Sequence, residues 1–372
     1  MTPAPPHGAK PPSAAEAPRL VAWEVTRACN LACVHCRAAA IGDPDPNQLT
    51  TEEGLHLIDQ IAALSRGIIL ILTGGEPLLR PDVFDLAAHG TAAGLRVVMA
   101  PNGTLITPAL ARRMKESGLQ RISVSIDGAA AHEHDMFRGV DGAFAGLMAG
   151  LHHAREAGLE FQVNTTVTRR NLPRLEAIQD LVVELGAAAH HIFLLVPTGR
   201  GRALTGEVIT AREYEDVLNW FYDRRDKVNL QLKATCAPHY HRILRQRARA
   251  EGRRVDLATF GLDAVSRGCL GGQGFAFVSH TGQVQPCGYL ELDCGQVREK
   301  NFGEIYRASS IFQDLRDKSR YKGKCGACEF WNVCGGCRAR AYETFGDYLA
   351  EEPLCLYEPR GGKPEPRPRG EA

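Results

Sequence analysis

Residues 26–36 read Thr-Arg-Ala-Cys-Asn-Leu-Ala-Cys-Val-His-Cys and place three thiols, Cys29, Cys33 and Cys36, close together. The apolar run Val21 to Thr26 predicts a strand, so the cysteines lie in the loop that follows it. A structural iron–sulfur cluster is normally bound by four cysteines. Three thiols therefore predict a cluster with one iron left open for a small molecule, as in catalytic metal sites. The alternative is a zinc site completed by His35 or by a distant cysteine.

Further apolar runs alternate with helical patterns along the first 230 residues. The predicted strands are Val21 to Thr26, Ile68 to Thr73, Leu95 to Ala100, Arg121 to Ile126, Glu160 to Val167 and His191 to Val196, and helices are predicted near 51–65, 82–93, 108–117, 143–157, 173–186 and 211–226. Such alternation is typical of a parallel sheet and predicts an α/β fold. By itself the pattern leaves open a partial (β/α)6 TIM-like barrel and a doubly wound open sheet.

A second motif, Gly74-Gly75-Glu76-Pro77, follows the second predicted strand. In parallel barrels the active site lies at the carboxyl ends of the strands. Alone, these four residues are common turn chemistry, but together with the CxxxCxxC loop they resemble the radical S-adenosylmethionine (SAM) superfamily. The resemblance favours the partial (β/α)6 barrel. It also implies a 4Fe-4S cluster whose open iron binds SAM and helps to cleave it to a 5′-deoxyadenosyl radical.

The resemblance further implies a set of SAM-binding residues at the ends of the predicted strands. These are Gly74, Gly75, Glu76, Pro77, Asn102, Ser125, Asp127, Arg138, Asn164 and Val196. Other roles stay open for several of them. Ser125 and Asp127 are also typical of a turn with Gly128, Asn164 of a buried polar residue, and Arg138 of a solvated surface residue.

Nine of the twelve cysteines lie beyond residue 230, in a region that lacks long apolar segments. The spacing Cys325-x2-Cys328-x5-Cys334-x2-Cys337 is too dense for ordinary core cysteines. A region with so little apolar core needs metal to hold its fold. Zinc is the alternative to iron–sulfur, because paired CxxC elements also occur in zinc ribbons.

The order of these cysteines, with Gly282 ahead of Cys287, resembles the SPASM domain of radical SAM enzymes. The resemblance implies an auxiliary 4Fe-4S cluster bound by Cys325, Cys328, Cys334 and Cys355, and a possible second auxiliary cluster bound by Cys269, Cys287 and Cys337 with Cys294 as fourth ligand. The family more often has three residues between its last two cysteines, whereas two separate Cys334 from Cys337 here, so the number of auxiliary clusters stays open. Cys236 is either a buried thiol or a residue of the substrate site.

The predicted organisation has five parts. They are a disordered arm at 1–19, the barrel at 20–230, a basic helical linker at 231–260, the SPASM-like domain at 261–358 and a disordered tail at 359–372. The 372 residues carry 44 Lys and Arg against 43 Asp and Glu, which gives no global attraction to nucleic acid. Neither an apolar run long enough to span a membrane nor a secretion signal is evident, so we expect a cytoplasmic protein. The oxygen sensitivity of iron–sulfur clusters further predicts an anaerobic setting.

Three sequence segments resemble the heme b synthase family of the siroheme-dependent heme pathway; they lie at residues 193–202, 233–240 and 282–290. The resemblance implies that two propionates of Fe-coproporphyrin III become vinyl groups with loss of carbon dioxide, at the expense of two SAM molecules. An auxiliary cluster would take up the electrons, and a low-potential donor such as ferredoxin or flavodoxin would reduce the SAM-binding cluster. The alternatives are a related enzyme that trims side chains of heme d1 or siroheme-derived tetrapyrroles and a SPASM peptide maturase. The oligomeric state stays open.

A macrocycle with four carboxylates needs cations around its rim, and arginine suits bidentate carboxylate binding. The candidates are Arg200, Arg202, Lys233, Arg242 and Arg245. A solvated helix face would equally explain Arg242 and Arg245. His239 and His241 are candidate ligands of the substrate iron, with a core or surface histidine as the alternative.

Overall fold

The computed structural model describes residues 13–360. Its strands are β1 (Leu20–Thr26), β2 (Ile69–Gly74), β3 (Arg96–Met99), β4 (Arg121–Ser125), β5 (Glu160–Val167), β6 (Ala189–Leu194), β7 (Gln231–Thr235), β8 (Phe275–Val278), β9 (Gln283–Gln285) and β10 (Gly295–Gln296). Its helices are α1 (Thr51–Leu64), α2 (Val83–Ala92), α3 (Pro108–Glu116), α4 (Ala131–Arg138), α5 (Ala143–Glu156), α6 (Leu175–Glu184), α7 (Ala211–Arg224), α8 (His239–Ala250), α9 (Leu257–Phe260), α10 (Phe302–Ala308), α11 (Ser310–Arg316), α12 (Gly323–Ala327) and α13 (Arg338–Phe345).

The described strands form one sheet in the order β10-β9-β8-β1-β2-β3-β4-β5-β6-β7. From β1 to β7 each strand pairs in parallel with the next, and β8 adds in parallel to the free side of β1. Strands β9 and β10 continue that edge as antiparallel neighbours. The predicted α/β class with a parallel sheet is confirmed, and the cysteine-rich region contributes strands to the same sheet.

The six predicted strands and six predicted helices are present, with ends that differ by a few residues. The sequence pattern missed α4 and β7. Strand β7 pairs in parallel with β6, with His191 opposite Lys233, so the predicted linker at 231–260 begins as a barrel strand and continues as α8. The strand escaped notice because its alternate residues Gln231, Lys233 and Thr235 are polar and resemble a loop.

The sheet has one apolar face and one polar face. Successive residues of a strand point to opposite sides, and on β4 the residues Ile122 and Val124 are fully buried in the main core beside Leu147 of α5. Ser125 of β4 and Asn164 of β5 lie on the other face and are only half buried. The inner face of the barrel is therefore the polar one, which suits a cofactor or substrate.

Part of the predicted disordered arm is ordered. Residues 1–12 and 361–372 lie outside the described residues, but the backbone of Arg19 donates to the carbonyl of Gly274 at 2.8 Å, and the carbonyl of Ala14 accepts from the Tyr306 hydroxyl. The prediction of disorder is wrong for residues 13–19 because they pack against the cysteine-rich region. Within residues 13–360, no helix has the length and apolar character needed to cross a membrane.

Candidate functional site

The loop after β1 carries Cys29, Cys33 and Cys36, and backbone bonds close it on itself. The amide of Cys29 donates to the carbonyl of Ile41 at 2.8 Å. The amides of Leu31 and Ala40 point at the sulfur atoms of Cys29 and Cys36, each at 3.4 Å. Such N–H donors stabilise thiolates, so the loop is arranged to hold sulfur ligands.

The Gly74-Gly75-Glu76 edge at the end of β2 lies directly against this loop. The amide of Gly75 donates to the carbonyl of Thr26 at 2.8 Å, and the amide of Glu76 donates to that of Ala28 at 2.7 Å. A Cβ atom on Gly74 would lie 2.3 Å from the Thr26 oxygen, and one on Gly75 would lie 2.3 Å from the Ala28 oxygen. Both positions need glycine because the two backbones approach so closely.

Glu76 ties this edge to the loop after β3. Its carboxylate is fully buried and accepts from the amides of Leu78 at 3.0 Å and Asn102 at 2.6 Å. Burial raises the pKa of Glu76 to about 7. The side-chain amide of Asn102 lies 3.9 Å from the sulfur of Cys29 and donates to Asn30 at 2.7 Å. Glu76 and Asn102 therefore fix the position of the first cysteine.

Arg138, at the end of α4, lies beside the second cysteine. Its guanidinium is 3.7 Å from the sulfur of Cys33 and forms a close ion pair with Asp127. Asp127 is fully buried and also accepts from the amide of Thr166 at 2.7 Å, with His35 at 3.5 Å. The predicted contact of Asp127 with SAM is not supported by this geometry, because both of its oxygens already bind protein groups. Asp127 instead positions Arg138.

Two other predicted SAM residues lie opposite each other on the inner face. Ser125 and Asn164 are register partners on β4 and β5, and the amide of Asn164 donates to Ser123 at 2.9 Å. Both stay half buried and accessible from the barrel interior. Val196 is buried, and its carbonyl accepts from the amide of Thr198 at 2.8 Å.

Arg200 holds the cysteine loop from the other side of the barrel. It donates to the carbonyl of Cys33 at 2.8 Å and to that of Ala40 at 2.7 Å. A Cβ atom on the preceding Gly199 would lie 2.2 Å from the carbonyl oxygen of Arg37, so this loop also packs backbone to backbone. The loop uses two of its nitrogens, whereas its buried Nη2 has no hydrogen-bond partner within residues 13–360, so the binding of a substrate carboxylate by Arg200 stays a prediction.

Two predicted substrate cations remain accessible. Arg202 is exposed and pairs with Glu343 at 3.1 Å. Lys233 is exposed on β7, opposite the inward-facing His191 of β6. Register partners on parallel strands point to the same face, so Lys233 lies on the polar inner face.

The other two predicted cations serve the protein interior. Arg242 is buried on α8 and pairs with Glu215 at 2.6 Å. Arg245 donates to the carbonyls of His241 and Ala264 at 3.0 and 3.1 Å. Both arginines bind groups of the protein, so they do not form a solvated helix face. The prediction that they bind carboxylates of the substrate is wrong.

The two predicted iron ligands are also core residues. His239 and His241 are buried, and burial lowers the pKa of each to about 3. The ring of His239 packs on Tyr214 and that of His241 on Tyr240. A substrate cannot reach these rings, so their prediction as iron ligands is wrong and the alternative of core histidines holds.

Four C-terminal cysteines form the group predicted for one auxiliary cluster: Cys325, Cys328, Cys334 and Cys355. Burial raises the pKa of Cys334 well above its usual value, and the nearby thiols of Cys325 and Cys355 raise it further. The Phe330 amide lies 3.4 Å from the sulfur of Cys328, and the guanidinium of Arg338 lies 3.4 Å from that of Cys325.

A second group contains Cys269, Cys287 and Cys337. Burial, together with the neighbouring thiols of Cys269 and Cys337, raises the pKa of Cys287 to about 12. Cys294 does not join them. It packs against the main core and interacts with Ser309, so the prediction that it is the fourth ligand is wrong. Cys236 lies beside the three thiols instead.

The grouped thiols suit iron–sulfur clusters. The cysteines of a 4Fe-4S cluster each bind a different iron, so they surround a cube rather than a point. Burial also raises the pKa of Cys29 to about 11 and that of Cys337 to about 11. A positive centre bound to such a thiol favours its thiolate form.

Comparison with known proteins agrees with this arrangement. The model of the radical SAM superfamily matches residues 23–182, and that of the SPASM iron–sulfur cluster-binding domain matches residues 269–329. The AdoMet-dependent heme synthase of Nitratidesulfovibrio vulgaris is 60% identical over 92% of this chain and 93% of its own length. This chain belongs to the radical SAM superfamily. The predicted radical SAM and SPASM architecture is confirmed, and with it the cofactor class of a 4Fe-4S cluster with SAM and auxiliary iron–sulfur clusters.

Sequence identity to other members of the superfamily falls as their named activity departs from heme synthesis. The AdoMet-dependent heme synthase of Methanosarcina barkeri is 53% identical over 92% of this chain and 97% of its own length. The pre-heme d1 synthase of Dinoroseobacter shibae and the mycofactocin maturase MftC of Mycobacterium tuberculosis are 31% and 29% identical over 90% and 96% of this chain. In fold, the chain is similar to Streptococcus suis SuiB bound to S-adenosylmethionine, with a TM-score of 0.70, 15% identity, and 92% and 78% of the two chains covered.

Sequence reasoning missed a buried charge network behind the cysteine loop. Glu24 of β1 is fully buried, and although burial raises its pKa, Arg37, His280 and Arg27 hold it at about 2. Arg37 also donates to the carbonyl of Gly288 at 3.2 Å, which ties the loop to the SPASM region. The available signal was a lone carboxylate inside the apolar run of β1.

Proposed function

We propose that this radical SAM protein is an AdoMet-dependent heme synthase that converts two propionates of Fe-coproporphyrin III to vinyl groups and so makes heme b. The observation that carries the proposal is the identity of 53–60% to heme synthases over nine-tenths of the chain. The two alternatives, heme d1 precursor trimming and peptide maturation, are represented by relatives at 31% and 29% identity. The gradient of identity favours heme synthesis over both.

The residues of the barrel mouth suit the cofactors of this reaction. Cys29, Cys33 and Cys36 would hold the 4Fe-4S cluster, and the Gly74–Pro77 edge and Asn102 would hold SAM next to it. When bound, the cluster and SAM supply a 5′-deoxyadenosyl radical that removes hydrogen from a substrate carbon. The chain itself positions these groups, since Arg138 faces Cys33 and its partner Asp127 keeps it there.

The polar inner face provides room and contacts for SAM and substrate. Ser125 and Asn164 offer hydroxyl and amide groups to SAM. Lys233 is the cation we propose for a substrate carboxylate, because it is exposed on the same face. Arg202 is exposed, so its guanidinium would bind a second carboxylate at the rim of the macrocycle in place of Glu343.

The electron balance gives the C-terminal thiols a function. Each propionate loses one hydrogen atom, carbon dioxide and one electron when it becomes a vinyl group. That electron needs an acceptor, and a cluster bound by Cys325, Cys328, Cys334 and Cys355 would supply one. We further propose that a ferredoxin or flavodoxin donates the electrons that start SAM cleavage, and that the protein works in the cytoplasm.

Anaerobic incubation of the cluster-loaded protein with SAM, a reductant and Fe-coproporphyrin III tests the proposal by mass spectrometry. The expected product is lighter than the substrate by two formic acid equivalents, that is, carbon dioxide and two hydrogens for each propionate. A matched reaction without SAM should return the substrate unchanged. If 5′-deoxyadenosine accumulates while Fe-coproporphyrin III keeps its mass, the protein is a radical SAM enzyme with another substrate.

A further inference from the structure

Cys236 has an unusual backbone for a residue other than glycine. It directly follows β7, at the carboxyl end of the barrel strands, and its φ is 53°. Among residues 13–360, Ala39 is the other non-glycine residue with a positive φ. A cysteine in this strained region persists only where the surrounding structure holds it, and such residues cluster at functional sites.

The surrounding structure holds Cys236 by its carbonyl group. The hydroxyl of Tyr214 and the guanidinium of Arg340 both donate to that oxygen at 3.1 Å. Arg340 is itself buried and paired with Glu352 at 3.1 Å. The same Glu352 accepts from the amide of Cys337 at 2.6 Å, so a single buried ion pair fixes both cysteines.

The remaining cysteines of the group approach Cys236 from the SPASM side. A Cβ atom on Gly271 would lie 3.8 Å from the sulfur of Cys269 and 3.8 Å from the Cβ of Cys287, so these two residues flank one glycine. Gly268, next to Cys269, packs against Pro238 so tightly that a Cβ atom there would lie 2.6 Å from the Pro238 Cα. This contact places residues 236–238 next to Cys269.

Cys236 also shares its immediate surroundings with the other thiols. Cys236 and Cys287 both pack against the small apolar cluster that contains Cys337 and Leu290. Cys294 has no such neighbours among the thiols, since Ser309, Asp293 and Arg316 surround it.

We propose that Cys236, Cys269, Cys287 and Cys337 form a closed four-thiol site for a second auxiliary 4Fe-4S cluster, with Cys236 contributed by the barrel. The SPASM match already implies auxiliary clusters, and the inference adds which thiols hold one of them, whatever the substrate is. Four protein ligands leave no iron open, so this cluster passes electrons and does not bind the substrate.

Its place in the chain suits an electron relay between the barrel and the outer thiol group. Cys236 comes from the carboxyl edge of the barrel, whereas the amide of Cys269 donates to the carbonyl of Cys334 at 3.0 Å. Cys334 belongs to the outer group, so the two sets of thiols share backbone contact. The closed site therefore lies between the inner face, where the substrate reacts, and the outer cluster.

Two variants of Cys236 and one of Cys294 test the proposal by iron and sulfide content and by EPR of the anaerobically reconstituted protein. Wild type with three 4Fe-4S clusters should hold about twelve irons per chain. We expect Cys236→Ala and Cys236→Gly both to lose iron and to lose or alter the EPR signal of one cluster. Cys294→Ala is the matched control and should keep the wild-type iron content and spectrum.

The glycine variant separates ligand loss from misfolding, because glycine adopts a φ of 53° without strain. Circular dichroism should show a folded protein in both Cys236 variants. Wild-type iron content and EPR in Cys236→Gly, or an equal loss of iron in Cys294→Ala, would overturn the assignment. The readout does not involve heme formation, so the result is independent of whether Fe-coproporphyrin III is the substrate.

Discussion

The cysteine loop of the barrel and the cysteine groups of the SPASM region differ in the number of thiols and in what lies beside them. The loop offers three cysteines, Cys29, Cys33 and Cys36, next to a strip of glycines and the polar inner face of the barrel. The SPASM region offers one group of four thiols and contributes three more to the group that, in our proposal, Cys236 of the barrel completes, and the buried Arg338 and Arg340 pack beside these groups. A three-thiol site leaves an iron for chemistry, whereas a four-thiol site has none to spare. Under the proposed function, the first region forms the radical and the second transfers electrons.

The largest expected effect comes from removing the open site. Replacing Cys29, Cys33 and Cys36 together by Ala should abolish 5′-deoxyadenosine formation, because no thiol then remains in the loop to bind the cluster. Iron content should fall by about four per chain while the SPASM clusters stay. Anaerobic product analysis and iron determination check both. Retained SAM cleavage in this variant would refute the assignment of the open site.

Removing the outer closed site should separate the two activities. In the variant Cys325→Ala/Cys328→Ala we expect SAM cleavage to continue in part while vinyl formation stops, since the substrate radical cannot pass on its electron. The ratio of 5′-deoxyadenosine to porphyrin product measures this uncoupling. Full turnover in the double variant would show that the outer cluster only supports the fold.

The glycine strip allows a more local test of the open site. Gly75→Ala would place a Cβ atom 2.3 Å from the carbonyl oxygen of Ala28 and must displace the cysteine loop. Loss of such supporting geometry around a metal site typically costs about 10–100-fold in metal affinity or activity, and we expect that loss in SAM cleavage. Gly42→Ala is the control, because a Cβ atom there meets no atom within 4 Å. Equal activity of the two variants would contradict the close packing.

The smallest effect concerns the stability of the contact between the barrel and the SPASM region, which includes the buried ion pair of Arg340 and Glu352. Arg340→Met leaves Glu352 buried without its partner and should lower the free energy of unfolding by about 3–5 kcal/mol. Adding Glu352→Gln should recover part of that loss, since the buried charge is then gone. Arg212→Met, which breaks an exposed pair with Asp216, should cost about 0–1 kcal/mol. Thermal unfolding under anaerobic conditions compares the three, and a similar cost for Arg340→Met and Arg212→Met would contradict the buried pair.

The sequence predicted what depends on local pattern. The six strands follow from apolar runs, and Cys29, Cys33 and Cys36 from spacing alone. It failed where residues distant in the chain meet. Cys236 and Cys269 join one group through packing of Pro238 on Gly268, and no spacing rule connects them.

Charged residues were predicted least well, because their partners are set by the fold. Arg200 lies at the expected end of β6, yet two of its donors go to the backbone of the cysteine loop. Arg242 and His239 lie on α8, whose sequence reads as basic and solvated, but both side chains are buried and Arg242 pairs with Glu215 of α7. The composition of this segment indicated positive charge but did not indicate whether the charged side chains point to solvent or into the protein.

The most direct test of the contrast between open and closed sites is EPR of the reduced protein with and without SAM. SAM should change the signal of one cluster and leave the others as they were. That signal should be missing from the variant in which Cys29, Cys33 and Cys36 are Ala, with the other signals kept. A SAM-dependent change that persists in this variant, or no change in wild type, would contradict the account.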